Sequence, residues 1–177
     1  MISIKFQEVG IDLLHQKVQS GFLLHSIMGR EHLNIQISKL HDDAILPTQG
    51  SEQAAGWDLY ALETTTVKKN ATVMIPTGLA VAIPSGWEGQ IRCRSSLGKR
   101  GMMLPNGVGT IDSDYRGELK VLASFIGEGD EFVIEKGERI AQLLFAPVPT
   151  ITFVEVEREH LGQTDRGTGG FGSTGQF

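Results

Sequence analysis

The sequence predicts an all-β domain of sandwich, jelly-roll or barrel class. Three observations carry that prediction. From Leu33 onward the apolar residues fall into short alternating or wholly apolar runs, cut by Gly, Pro and Asn. No long helical pattern is interleaved between those runs, so a parallel α/β sheet is excluded. A chain of 177 residues is long enough for one hydrophobic core and short for two.

Taken in order, residues 1–32 differ in texture from the rest. Ile11, Leu14, Val18 and Phe22 recur at near-helical spacing and predict a short helix, weakened by Gly10, Gly21 and Gly29. We read 1–32 as an N-terminal extension and 33–162 as the β domain. Its strand-forming runs are LNIQISKL, ATVMIP, GLAVAIP, GQIRCR, LKVLASFI, DEFVIE, IAQLLFAPV and ITFVEVE, the last spanning 151–157. One short helix is predicted within SSLGKRGM, 95–102, with Ser95 or Ser96 as its cap. Residues 163–177 contain almost nothing to bury and read as a flexible glycine-rich arm.

Composition removes several classes of function. A net charge of -5 and a pI near 5.5 leave no basic face for sequence-independent binding to nucleic acid. The single cysteine, Cys93, excludes an intrachain disulfide framework and a cysteine-built zinc site, and fits a reducing compartment. The most apolar N-terminal stretch, GFLLHSIMG, is short, carries His25 and lacks the flanks of a signal peptide or membrane span. The expectation is a soluble intracellular protein, cytoplasmic, with no membrane partner.

Five stretches carry chemistry. In AAGWDLYA, 54–61, Asp58 interrupts an apolar strand-like run. It is either a turn aspartate or a carboxylate that holds magnesium near clustered phosphates, an ion that keeps most of its waters. RCRSSLGKRG, 92–101, packs four cations, two serines and two glycines into ten residues. That composition suits either a solvated basic face or an anion site built from helix amides and the Arg94 guanidinium.

The third stretch, LPNGVGTIDSDYRGEL, 104–119, is the most informative. Asn106-Gly107 is a hairpin-turn signal, which places Asn106 and Gly109 in a tight turn with exposed amides. If the chain stays extended, Asp112 and Asp114 point to opposite faces, one inward and one outward. An inward carboxylate beside an anion site has a ready task as general base toward water, worth roughly 10²–10⁴ in rate. Tyr115 either packs against a sugar or belongs to the core. In GERIAQLLFAPV, 137–148, Arg139 and Gln142 interrupt a buried strand and need partners: either they satisfy each other and the backbone, or Gln142 donates to a ligand. In RGTGGFGSTG, 166–175, glycine amides, Arg166, Ser173 and Thr174 suit a polyphosphate, and Phe171 a flat ring. Standing alone, that segment also reads as a disordered tail.

In this order and spacing the five stretches closely resemble the five motifs of the trimeric dUTP pyrophosphatases, the dUTPases, over about 33–175. The resemblance implies a jelly-roll (β-clip) subunit, a homotrimer and active sites between subunits. It implies hydrolysis of dUTP to dUMP and pyrophosphate with Mg2+, which limits uracil in DNA and supplies dUMP for dTMP synthesis. By position, Asp112 resembles the base that activates water for in-line attack on the α-phosphorus. Asn106, Gly109 and the backbone around Thr110, Ile111 and Lys120 resemble the uracil pocket. Tyr115 would lie under the deoxyribose and exclude a 2′-hydroxyl. Arg94, Ser95, Ser96 and Gln142 resemble the α/β-phosphate contacts, and Asp58 the residue that anchors magnesium through water. The arm, with Arg166, Phe171, Gly172, Ser173 and Thr174, resembles a lid in which Phe171 stacks on uracil.

This chain reads Cys93-Arg94-Ser95-Ser96 where the family usually reads Pro-Arg-Ser-Gly, and Trp57 stands where tyrosine is common. The related dCTP deaminases share the fold and an Arg-Ser-Ser triplet. Their chemistry needs a glutamate at the position occupied here by Leu122, which cannot move a proton. A non-catalytic nucleotide-binding trimer is the other rival, and the intact set Asp112, Gln142, Arg166 and Phe171 weighs against it.

Overall fold

The computed structural model describes residues 32–170 and 173. The helix expected within 1–32 lies outside the described residues. Alternation of apolar and polar residues sets the strands, and each run settles where its apolar side meets another. They are β1 (Gln36–Lys39), β2 (Thr48–Gln49), β3 (Trp57–Tyr60), β4 (Thr65–Lys68), β5 (Thr72–Pro76), β6 (Leu79–Ala82) and β7 (Trp87–Cys93). After α1 (Ser95–Lys99) come β8 (Met102–Met103), β9 (Gly109–Ile111), β10 (Lys120–Phe125), β11 (Glu131–Ile134) and β12 (Arg139–Pro147).

All the pairings between these strands are antiparallel. A five-stranded sheet runs β2-β3-β12-β7-β9, a three-stranded one β5-β10-β8, and β1-β6 and β11-β4 form two-stranded ribbons. This β-only layering agrees with the predicted class. The nine-residue β12 is the spine: its residues face β7 from Ala141↔Cys93 to Pro147↔Trp87 and face β3 at Gln142↔Asp58.

The core is packed by Leu59, Ile75, Leu79, Ile91, Leu119 and Leu143, each at most 2% exposed. Phe125 and Phe132 close one end with ring centroids 5.5 Å apart at 53°. Burying such a side chain contributes about 1.5–3 kcal/mol, and Phe125→Ala would cost about 3–5 kcal/mol through the cavity it leaves. The outer side of β7 is polar. There the Gln90 amide donates to Glu88 at 2.6 Å and Arg92 Nε donates to Gln90 at 3.2 Å.

Several expectations are corrected. Residues 151–157 form no strand within the chain. Ile151, Phe153 and Val154 are 66%, 94% and 76% exposed, so the alternating segment has its apolar side chains uncovered within the chain. The short helix ends at Lys99, and Arg94, not a serine, is its N-cap residue, with no side-chain capping bond. Asn106-Gly107 does form a tight turn, with Gly107 N–H donating to Leu104 O at 2.9 Å and Gly107 at φ 70°. It is not a hairpin, however: β8 pairs with β10 and β9 with β7, so the turn hands the chain from one sheet to the other. Gly109 accordingly belongs to β9, opposite Ile91.

Candidate active site

Seven of the singled-out residues come together at one end of the sheet. Asn106, Gly109, Thr110, Ile111, Asp112, Tyr115 and Lys120 all line one cavity of about 310 Å³. Its apolar wall is supplied by Met74, Ile91, Leu104 and Leu122. The register explains the grouping. Strand β9 lies at the sheet edge against Ile91–Gly89, while β10 carries Lys120 and Leu122, and Leu122 faces Met74 on β5. A slot walled by strand backbone and aliphatic side chains, with a few polar groups at its mouth, suits a flat heterocycle.

Asp112 does not continue the strand. The chain turns after Ile111, with Tyr115 N–H donating to Asp112 O at 3.1 Å, and Arg116 Nη1 donates to Ser113 O and Tyr115 O, both at 2.7 Å. Asp112 and Asp114 are therefore both exposed rather than one being buried, since the alternation of an extended strand stops at the turn. Tyr115 is 44% exposed and not a core residue. Asp112 borders a second, wider cleft of about 610 Å³, lined also by Trp87, Glu88, Asp114 and Val148. Asp112 thus borders both cavities.

A second constellation occupies the other end. Asp58 is 3% exposed, and both its oxygens are engaged. Arg94 Nε donates to Oδ1 at 3.0 Å and Arg139 Nη1 to Oδ2 at 3.2 Å. Arg94 also donates to Arg139 O at 3.3 Å. Two guanidiniums on one carboxylate leave a net positive group with spare N–H donors, a geometry that receives phosphate. Arg139 was not singled out as a ligand residue in the sequence. The signal available was a charged side chain at the head of a buried strand, three residues before Gln142.

Ser95 and Ser96 open α1 beside Arg94 and are exposed. Gln142 sits between Asp58 and Arg92 in the strand register, half-buried, and among the described residues its amide makes no side-chain hydrogen bond. Behind this surface Cys93 faces inward, and burial pushes its thiol above the ordinary value, a backbone hydrogen bond from Gly98 opposing.

The two constellations are far apart within one chain. Asp112 immediately follows Ile111, whose partner is Gly89, and so lies near the level of Glu88 and Ala146, whereas Asp58 is level with Gln142. Four residues along β12 and three strands across correspond to about 13 Å and 14 Å, a separation of about 20 Å. Among the arm residues, Arg166 Nε donates to Gly169 O at 2.9 Å and Ser173 N–H to Gly170 O at 3.1 Å. Phe171, Gly172 and Thr174 lie outside the described residues. Residues 149–168 are exposed throughout. No helix among the described residues is long and apolar enough to cross a membrane.

Comparison with known proteins agrees with this geometry. Residues 42–175 match the family model described as dUTPase. The deoxyuridine 5'-triphosphate nucleotidohydrolase of Syntrophotalea carbinolica is 48% identical over 147 residues, covering 81% of this chain and 97% of that protein. The dUTPase of Staphylococcus bacteriophage 80alpha, solved with dUPNHPP, superposes with a TM-score of 0.74 at 28% identity, over 80% of this chain and 98% of that one. The fold is also that of a mutant dUTPase from phage phi11 of S. aureus, described with a structural Mg(II) ion, at 22% identity and a TM-score of 0.65 over 72% and 99% of the two chains. The chain belongs to the dUTPase family.

Proposed function

We propose that this protein hydrolyses dUTP to dUMP and pyrophosphate, as a homotrimer whose sites are completed between copies. The observation that carries the reading is the gathering of Asn106, Gly109, Thr110, Ile111, Tyr115 and Lys120 around one slot with Asp112 at its mouth. Uracil enters the slot against the β9 backbone, and the deoxyribose rests on Tyr115. Asp112 then faces the α-phosphorus. It takes a proton from a water whose oxygen bonds to that phosphorus, the bond to the bridging oxygen breaks, and pyrophosphate leaves.

The α/β-phosphates need donors beside them, and Arg94, Ser95, Ser96, Arg139 and Gln142 are the set that fits. At about 20 Å from Asp112 within one chain, that set cannot reach the same nucleotide. A threefold arrangement that lays the Arg94 end of one copy against the Asp112 end of the next removes the gap and fills the open cleft. The 149–162 segment supports the same reading, since Ile151, Phe153, Val154 and Leu161 are exposed within the chain and a neighbouring copy would cover them while receiving the glycine-rich arm. There Arg166, the amide of Gly172, Ser173 and Thr174 hold phosphate and Phe171 covers the base.

Magnesium is tested by the donor set. Among the described residues no group of three or more His, Cys, Asp or Glu side chains converges. Asp58 retains acceptor capacity beyond its two guanidinium bonds. That fits an ion carried by triphosphate oxygens and water, with Asp58 as an anchor through water, and not a protein cage. When bound, the ion supplies charge neutralisation and orientation of the triphosphate. Leu122 on the slot wall offers no proton-transfer group for deamination.

The test is pyrophosphate release from dUTP, dCTP, dTTP and UTP in parallel. Release from dUTP far above the other three is expected, with no ammonia from dCTP. Ammonia release, or nucleotide binding with no turnover of dUTP, contradicts the reading.

A further inference from the structure

Glu118 makes more contacts around the slot than the chemistry assigned so far requires. Its Oε1 accepts the Gly78 N–H at 2.9 Å, tying the loop that follows Asp112 to the β5–β6 turn. Its Oε2 faces Lys120 Nζ at 3.4 Å, on the slot wall. Its backbone carbonyl accepts the Tyr115 hydroxyl at 3.0 Å. Gly117 lies directly under that ring, so that a Cβ there would strike the Tyr115 hydroxyl and ring carbons.

Elsewhere the loop is bonded mainly to itself, through Tyr115 N–H to Asp112 O and Arg116 to Ser113 O and Tyr115 O. Its attachment to the rest of the domain is therefore concentrated at its downstream end. Leu119 is locked there by its N–H to Leu79 O at 2.7 Å and by Thr77 Oγ1 donating to its carbonyl at 2.6 Å. The Glu118 carboxylate extends that lock by one residue, to the peptide that receives the tyrosine hydroxyl.

We infer that Glu118 is a positioning residue that sets sugar specificity: by holding its own peptide against Gly78 it fixes the Tyr115 ring at the height that leaves no room for a 2′-hydroxyl. The inference rests on the proposed dUTP reading and extends it to a residue for which the five motif assignments give no task. A ring fixed by one hydroxyl bond and by contact with Gly117 discriminates only while the Glu118 carbonyl stays put. Rejection of an added hydroxyl by shape alone is modest, so a small displacement of the ring is enough to lose part of it.

The experiment measures kcat/KM for dUTP and for UTP in the wild type, Glu118→Ala, Glu118→Gln and Glu118→Asp, with a melting curve for each. Alanine removes the acceptor for Gly78 N–H and is expected to lower the dUTP-over-UTP ratio about tenfold, in part through a higher KM for dUTP. Glutamine keeps an acceptor oxygen at the same reach and is expected to retain the wild-type ratio. Aspartate draws the carboxylate back by one methylene and is expected to lower the ratio; it serves as the folded alternative should alanine prove unstable. An unchanged ratio in folded alanine and aspartate variants overturns the inference, as does a glutamine variant that falls as far as alanine. A wild type that does not turn over dUTP overturns the functional reading instead, so the two failures are distinguishable.

Discussion

The two ends of the five-stranded sheet solve different problems. The Asp112 end is nearly self-sufficient. One chain supplies the slot, the carboxylate at its mouth and a loop tied by Arg116 and Glu118. The Asp58 end is rigid but incomplete. A buried carboxylate holds two guanidiniums, and beside them lie the two exposed serines of α1 and the half-buried Gln142. Under the proposed function, the difference teaches where specificity and charge handling separate: base and sugar would be read by one subunit's fold, and phosphates by groups that another copy presents.

Perturbing each end should therefore give different kinetic signatures. The largest effect is expected for Asp112→Asn, which keeps the shape of the slot and removes the proton acceptor. Single-turnover kinetics should show kcat lowered by about 10²–10⁴ with dUTP affinity nearly unchanged. Loss of binding in step with kcat would mean that Asp112 belongs to the slot and not to the chemistry. Truncation after Gly162 should come next, lowering turnover severely while light scattering and the melting temperature stay at wild-type values. That arm is exposed throughout the portion before Gly169 and, among the described residues, contributes none of the buried core. A truncated protein that falls apart into monomers would show that the arm is structural.

Arg139→Gln attacks the phosphate end. It leaves Asp58 paired with Arg94, and Arg139 is itself half-exposed, so the fold should hold. The expected result is a KM for dUTP raised about tenfold with a smaller change in kcat, read from pyrophosphate release. An equal fall in both ends' signatures would erase the distinction between them. The smallest effect concerns Cys93 behind the same surface. Burial raises its thiol pKa, so less thiolate is present at a given pH, and labelling by iodoacetamide at pH 8 should be slower in the native protein than after unfolding.

Much of this was legible in the sequence, and the exceptions follow from tertiary contacts. The apolar runs that became β5, β7, β10 and β12 announced themselves because each carries its own inward-facing residues. β2, β8 and β9 are two or three residues long and exist only because a longer strand lies beside them. The 151–157 run shows the converse: alternation says that a segment can pair, and only the surroundings decide whether it does. The residues that the motif spacing grouped around a slot do line one cavity, but Asp112 was expected on a strand face and sits at a turn. The partner of Arg139 and the part played by Glu118 were not legible, because Asp58 and Gly78 are 81 and 40 residues away and meet them only in the folded chain.

The central claim, that one site needs both ends from different copies, is tested most directly by mixing two crippled proteins. Asp112→Asn keeps an intact phosphate end, and Arg94→Gln keeps an intact slot while leaving Asp58 bonded to Arg139. Co-refolded at equal amounts and assayed for pyrophosphate release from dUTP, they should regain about a quarter of the wild-type rate, because one site in four then combines two intact halves. A mixture no more active than the sum of its parents would place both ends of the site in a single chain and contradict the account.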